Sequence, residues 1–168
     1  MRGIAWKFGD HIHADQACLF HKNKHIPLDD REALAGVCMA GCDPDFPKKA
    51  GNGDFIVAGR NFGWGQVHSH FYASIKALGI GAIIVESIND RSHREAINTG
   101  IRIILCSSTE AIQTGEPLEI DMERGTILRC RTGKVIPAGT GAPVIEEIIS
   151  KGGIDPYLRA RLKEETTR

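Results

Sequence analysis

Apolar and polar positions follow two distinct rhythms along the 168-residue chain. Phe55-Ile56-Val57-Ala58-Gly59 is a continuous apolar run closed by glycine, the pattern of a strand buried on both faces. Residues 80–85 read as a second buried strand and residues 101–105 as a third strand. Between these runs, residues 69–78 carry apolar side chains at helical spacing (Phe71, Ile75, Leu78) ahead of Gly79. Residues 92–99 read as a second, shorter helix closed by Gly100. Strand, helix, strand, helix, strand in that order predicts a βαβαβ unit with a parallel sheet. Residues 3–8 alternate weakly and predict a short strand that ends in the turn-prone Gly9-Asp10.

The rhythm changes outside this unit. Residues 118–121 and 126–130 flank the turn Glu123-Arg124-Gly125 and predict a hairpin. Residues 143–150 predict a helix stopped at Gly152-Gly153, and residues 157–165 a charged helix. Residues 11–52 are polar and irregular, with one short helix around 30–38 and a loop punctuated by Pro44, Pro47 and Gly51. A connection that long, bearing histidine and lysine, points to function rather than mere linkage. There is no internal repeat and no low-complexity tract. The expected architecture is a single α/β domain over residues 1–168, with parallel core strands and an antiparallel hairpin appended.

Composition narrows the function. With 42% hydrophobic and 25% charged residues, disordered, collagen-like and coiled-coil classes are excluded. Lys+Arg and Asp+Glu are both 21, the formal net charge is zero and no basic stripe stands out, which argues against a nucleic-acid partner. No stretch approaches the roughly 20 apolar residues of a membrane span, and residues 1–16 lack an apolar signal-type run, so no membrane and a cytoplasmic location are expected. The five cysteines are odd in number and form no disulfide-like array, which fits reduced thiols.

The candidate chemistry centres on the turn over residues 59–65. Gly59, Gly63 and Gly65 let backbone approach a ligand closely, and the helix behind the turn aims its amides and positive dipole end there. A small anion at a helix N-terminus is one reading; a tight turn that needs glycine only for packing is the other. The spacing is not that of a dinucleotide fingerprint, and no Walker A lysine follows. His68 and His70 begin the helix and suit acid/base or carboxylate-binding work, with His70 open to a purely structural role. At i and i+2 they do not share a helix face, which disfavours a shared metal. Cys38 and Cys42 lack a second pair at metal-site spacing and point to a core role on one helix face. His11, His13, His21 and His25, with Lys22 and Lys24, form either a cationic substrate loop or a solvated face.

Several blocks in order resemble one family. They are Phe8-Gly9-Asp10 with Ile12 and Asp15, Asp43-Pro44-Asp45-Phe46-Pro47-Lys48-Lys49, and the run from Gly53 to Gly63. The likeness continues through Leu78-Gly79-Ile80, Ala96-Ile97-Asn98-Thr99-Gly100, the stretch from Gly115 to Asp121, and Gly152-Gly153 to Tyr157. Together they resemble the small subunit of 3-isopropylmalate dehydratase, the separate swivelling domain of the aconitase superfamily. The resemblance implies a β/β/α swivelling domain that closes over a large catalytic subunit holding a [4Fe–4S] cluster. It implies hydro-lyase chemistry on a hydroxy di- or tricarboxylic acid, with the cluster's open iron acting on the leaving hydroxyl. No cofactor or metal is expected on this chain, which lacks the cluster's cysteine motif.

The turn departs from the family pattern. Members usually read Asn-Phe-Gly-Cys-Gly-Ser-Ser-Arg-Glu-His, whereas here the stretch is Asn61-Phe62-Gly63-Trp64-Gly65-Gln66-Val67-His68-Ser69-His70. The family's first serine is its base, and the next serine and the arginine bind substrate carboxylate. Gln66 is no base, Val67 has no donor, and His68 lacks the arginine's bidentate fork. Asn61, Gly63, Gly65 and His70 still match. The resemblance therefore assigns His68 as base or carboxylate binder, with Ser69 as a displaced catalytic serine. Asp15, His21, Asn61, Gly63, Trp64, Gly65, Gln66, Val67 and His70 are the expected substrate-side groups, with His13 shaping the far wall. Trp64 narrows the pocket or covers an apolar substituent. These changes favour a substrate other than isopropylmalate. A non-catalytic carboxylate-binding or assembly module is the alternative, and a true 3-isopropylmalate dehydratase of leucine biosynthesis ranks below both.

Overall fold

Strand β2 (Phe55–Val57) lies at the centre of the molecule, with all three of its residues fully buried. Its side chains alternate between two apolar layers: Ile56 enters one, Phe55 and Val57 the other. Such a strand needs cover on both faces, and the chain supplies it. The computed structural model describes residues 1–139 and 141–166. It shows a seven-stranded mixed sheet in the order β4-β3-β2-β1-β5-β6-β7. β1 (Arg2–Lys7), β2, β3 (Ala82–Val85) and β4 (Ile103–Leu105) are parallel; β5 (Pro117–Asp121), β6 (Thr126–Arg129) and β7 (Lys134–Pro137) continue antiparallel.

Eight helices accompany the sheet among the described residues: α1 (Ala14–Ala17), α2 (Phe20–Asn23), α3 (Arg31–Val37), α4 (Phe46–Lys49), α5 (Ser69–Leu78), α6 (Asp90–Thr99), α7 (Pro143–Ser150) and α8 (Ile154–Thr166). One layer packs Phe46, Phe62, Phe71, Tyr72 and Ile75 against Ile56 and Ile83. The other joins Phe55, Val57 and Ile84 to Leu118, Ile120, Ile127 and Ile136, so the antiparallel strands share a core with the back of the parallel ones. The helices end where glycine takes the left-handed conformation, at Gly79 after α5 and Gly100 after α6.

The parallel unit, the hairpin and the helices 143–150 and 69–78 match the apolar pattern. Three features differ from expectation. The hairpin is no appendage: β5 pairs with β1, Ile4 opposite Pro117, making one continuous sheet, and β7 adds a strand whose exposed Lys134 and Val135 hide its period. The stretch 11–52 holds three four-residue helices besides α3, each too short to show a periodicity. Cys38 and Cys42 do not share a helix face, because α3 ends at Val37; Cys38 is buried and Cys42 exposed.

One carboxylate ties β1 to β2. Asp54 Oδ1 accepts from the Ile4 amide at 3.0 Å, while Oδ2 accepts from Trp6 Nε1 and the Gly51 amide, both at 2.8 Å. Removing it orphans three donors in a largely dry setting, so Asp54→Ala is expected to destabilise by about 3 kcal/mol or more in urea unfolding. A loss below about 1 kcal/mol would contradict that role.

The thiols offer a second check. Burial pushes the Cys18 thiol up to about 12, with the Asp15 charge adding to it, and burial likewise raises Cys38 and Cys106. A thiol reagent is expected to titrate Cys42 and Cys130 in the native protein and all five only in denaturant.

Candidate active site

Parallel pairing of β1 with β2 sets Lys7 opposite Val57, so both strands end on the same edge of the sheet. The two loops that leave them stay paired. Phe8 N–H donates to Val57 O at 2.7 Å, His11 N–H to Arg60 O at 2.8 Å, Gly63 N–H to Ile12 O at 2.8 Å, and Ala14 N–H to Trp64 O at 3.1 Å. An isolated bridge joins His13 to Trp64. The site thus begins where an open parallel sheet presents its strand C-termini.

The glycines of the turn have separate reasons. A Cβ on Gly59 would strike Asp10 Oδ1, which accepts the Arg60 amide at 2.8 Å. That amide, with the Arg60 guanidinium behind it, holds the Asp10 carboxyl below the usual carboxylate range. Gly65 takes a φ of 83° and lies against the His13 ring, where any side chain would collide. Asn61 also sits at positive φ, 55°, its amide bonded to Ser87 Oγ and its Nδ2 3.2 Å from His11 Nδ1. The turn is built by close packing of the two loops, and that packing leaves its outer amides open. Among the described residues, no protein group accepts from the amides of Gly65, Gln66 or Val67. Helix α5 follows, with His68 as an N-cap that makes no side-chain cap. The positive end of the α5 dipole follows these unpaired amides directly in the chain.

The imidazole of His68 is held rather than loose. Asp15, 2% exposed, accepts the His68 amide on Oδ1 at 3.2 Å and pairs Oδ2 with His68 Nδ1 at 2.7 Å. Phe20 stacks on the ring with centroids 3.8 Å apart and planes 8° from parallel. Leu19, in the left-handed region at φ 52°, turns the chain that presents Phe20. The His68 side chain remains 43% exposed. Trp64 caps the other side of the turn: its indole Nε1 donates to His11 O at 2.7 Å, and its ring meets His13 edge-on at 4.7 Å.

Asp15, Asn61, Gly63, Trp64, Gly65, Gln66 and His68 therefore gather at one bend. The others stand apart from it. Val67 is buried in the core and reaches the bend only through backbone. Ser69 Oγ donates to Glu95 at 2.9 Å and lines a separate cavity of about 570 Å³ with Lys76 and Arg159. His70 Nε2 lies 3.0 Å from Ile26 O and its ring packs edge-on to Phe20, pinning the 20–26 segment. His21 is exposed beside Phe20, its ring centroid 6.1 Å away. Phe20 carries no local sequence signal, because a stack on a residue so distant in the chain leaves no periodicity. The Asp10–Arg60 pair, at 2.9 Å, is equally silent in the sequence.

Among the described residues, no three His, Cys, Asp or Glu side chains converge to hold a metal. The cysteines are free and three are buried, so this chain's residues do not fit an iron–sulfur cluster.

No protein-family model matches the chain. It is 36% identical over 165 residues to the isopropylmalate/citramalate isomerase small subunit of Methanocaldococcus jannaschii, covering 98% of this chain and 96% of that one. It is 36% identical to 3-isopropylmalate dehydratase small subunit 1 of Archaeoglobus fulgidus, over 94% of this chain and 96% of that protein. The methanogen homoaconitase small subunit of M. jannaschii is 37% identical over 96% of this chain and 92% of its own length. The crystal structure of 3-isopropylmalate dehydratase from M. jannaschii superimposes with a TM-score of 0.92, at 36% identity and 99% and 97% coverage. With a full-length match in both sequence and fold, the chain belongs to the small-subunit family of 3-isopropylmalate dehydratase and homoaconitase, hydro-lyases of the aconitase type.

Proposed function

We propose that this chain is the substrate-side subunit of a cytoplasmic two-subunit hydro-lyase, closing over a large subunit that holds a [4Fe–4S] cluster. The substrate is a hydroxy di- or tricarboxylic acid. One observation carries the reading: the open amides of Gly65, Gln66 and Val67 adjoin an imidazole locked in place by a buried carboxylate. A substrate carboxylate takes the amides and the α5 dipole, the usual means of binding an anion at a helix start. His68 then exchanges the proton on the carbon adjacent to the one that bears the leaving hydroxyl, replacing the serine of the family pattern. Gln66 and the half-open Trp64 frame the remainder of the substrate, and Asn61 and Gly63 shape the backbone that holds them. Ser69, bonded to Glu95, is outside this chemistry.

The relatives are named for isopropylmalate, citramalate and homoaconitase, which supports the class of substrate. Those names do not support the expectation of a substrate other than isopropylmalate. The rewritten residues bear instead on how the carboxylate is held and the proton moved. His68 forms at most one hydrogen bond outward where an arginine forms two, so the backbone amides carry more of the carboxylate.

The test is to co-express the chain with a cluster-bearing large subunit and assay isopropylmalate, citramalate and homologous tricarboxylates without oxygen. Turnover is expected, and His68→Ala should lower kcat by about 100-fold to 10,000-fold. An unchanged kcat removes His68 from the reaction. Failure of the assembled wild-type complex on every substrate would favour a non-catalytic carboxylate-binding module.

A further inference from the structure

Asp15 is almost fully buried, and both donors to its carboxylate come from a single residue, the backbone amide and the Nδ1 of His68. A carboxylate in its ionised form only accepts, so the atom facing Oδ2 has to be an N–H. With Nδ1 carrying the proton, the other ring nitrogen of a neutral imidazole has a free lone pair. Among the described residues nothing bonds that Nε2, and the ring is 43% exposed, with Phe20 covering one face at 3.8 Å. The stack fixes the ring plane and the carboxylate fixes its rotation. What is left to the site is one basic nitrogen pointing outward.

From this arrangement we infer that Asp15 is a positioning residue that holds His68 in the Nδ1–H tautomer with Nε2 as the proton acceptor, and that it is not a substrate ligand. The inference rests on the reading of His68 as the proton-transfer group. The step it supports moves one proton from substrate carbon to Nε2, leaving an imidazolium whose Nδ1–H stays bonded to Asp15. The electron pair of the broken C–H bond forms the new double bond as the C–O bond breaks, and the hydroxyl leaves to the large subunit of the proposed complex, whose cluster would receive it as a Lewis acid. In rehydration the imidazolium returns its proton to carbon as water adds across the double bond. Asp15 keeps its charge throughout and stabilises the cation it faces, the same logic by which a buried aspartate serves a catalytic histidine in hydrolytic triads.

A purely structural Asp15, capping the start of α5, has to be told apart from this. Asp15→Asn does so because it preserves shape and the bond to the His68 amide. The substitution puts an amide NH₂ in the place of Oδ2, and that group donates, so Nδ1 must accept and the imidazole proton moves to Nε2. The full-length chain, labelled with ¹⁵N, reports the tautomer directly in long-range ¹H–¹⁵N spectra at about pH 9, above the usual imidazole range. The wild type is expected to show His68 as Nδ1–H and Asp15→Asn as Nε2–H, with the rest of the spectrum retained. In the assembled complex, Asp15→Asn should lower kcat by about 100-fold or more while KM changes less than about threefold.

An Nε2–H wild type, or a tautomer indifferent to the substitution, overturns the inference whatever the activity. So does an Asp15→Asn complex with normal kcat when His68→Ala is inactive, a result that leaves the role of His68 standing. A fully active His68→Ala complex instead defeats the reading of His68 itself. A rise in KM alone would return Asp15 to the substrate-binding groups.

Discussion

Everything at the bend depends on the parallel register of β1 against β2. With Lys7 opposite Val57, the loops that follow start side by side and exchange backbone hydrogen bonds as far as Ala14 and Trp64. That ladder delivers Asp15 to His68 across 53 positions of sequence. A shift of one residue would turn each side chain to the opposite face and separate the pair. The register is itself held by Ile56 and by Phe55 and Val57 entering opposite cores, and by Asp54 bonding both Ile4 and Trp6. The position of the Asp15–His68 pair is thus set by core packing some distance away.

On the proposed reading, the turn keeps an anion-binding bend while the residues at its tip differ from the family pattern. Gly59 and Gly65 are demanded by contacts inside the chain, with the Asp10 carboxylate and the His13 ring, independently of any ligand. Among the described residues the amides of Gly65, Gln66 and Val67 have no protein acceptor. Imidazole in place of guanidinium gives up a two-pronged grip on a carboxylate.

The sequence displays the parallel unit plainly because Phe55, Ile83 and their neighbours are apolar without interruption, and Gly79 and Gly100 mark where the helices stop. The bend was legible from its glycines. Its internal wiring was not: the Asp15–His68 pair and the Phe20 stack join segments about 50 positions apart, and no local pattern encodes such contacts. Val67 and Ser69 illustrate the same limit. Adjacent in sequence to His68, one turns into the core and the other toward Glu95, because the extended backbone at His68 passes into helix and alternates their directions. The one-turn helices and β7 escaped for the opposite reason, being too short or too polar to carry a period.

The most direct measurement is a crystal structure of the two-subunit complex with a bound hydroxydicarboxylate. A substrate carboxylate is expected on the amides of Gly65 and Gln66, with His68 Nε2 in hydrogen-bond or van der Waals contact with the reacting carbon's substituents. A carboxylate seated elsewhere, with the indole of Trp64 filling the bend and His68 turned away from the substrate, would contradict it.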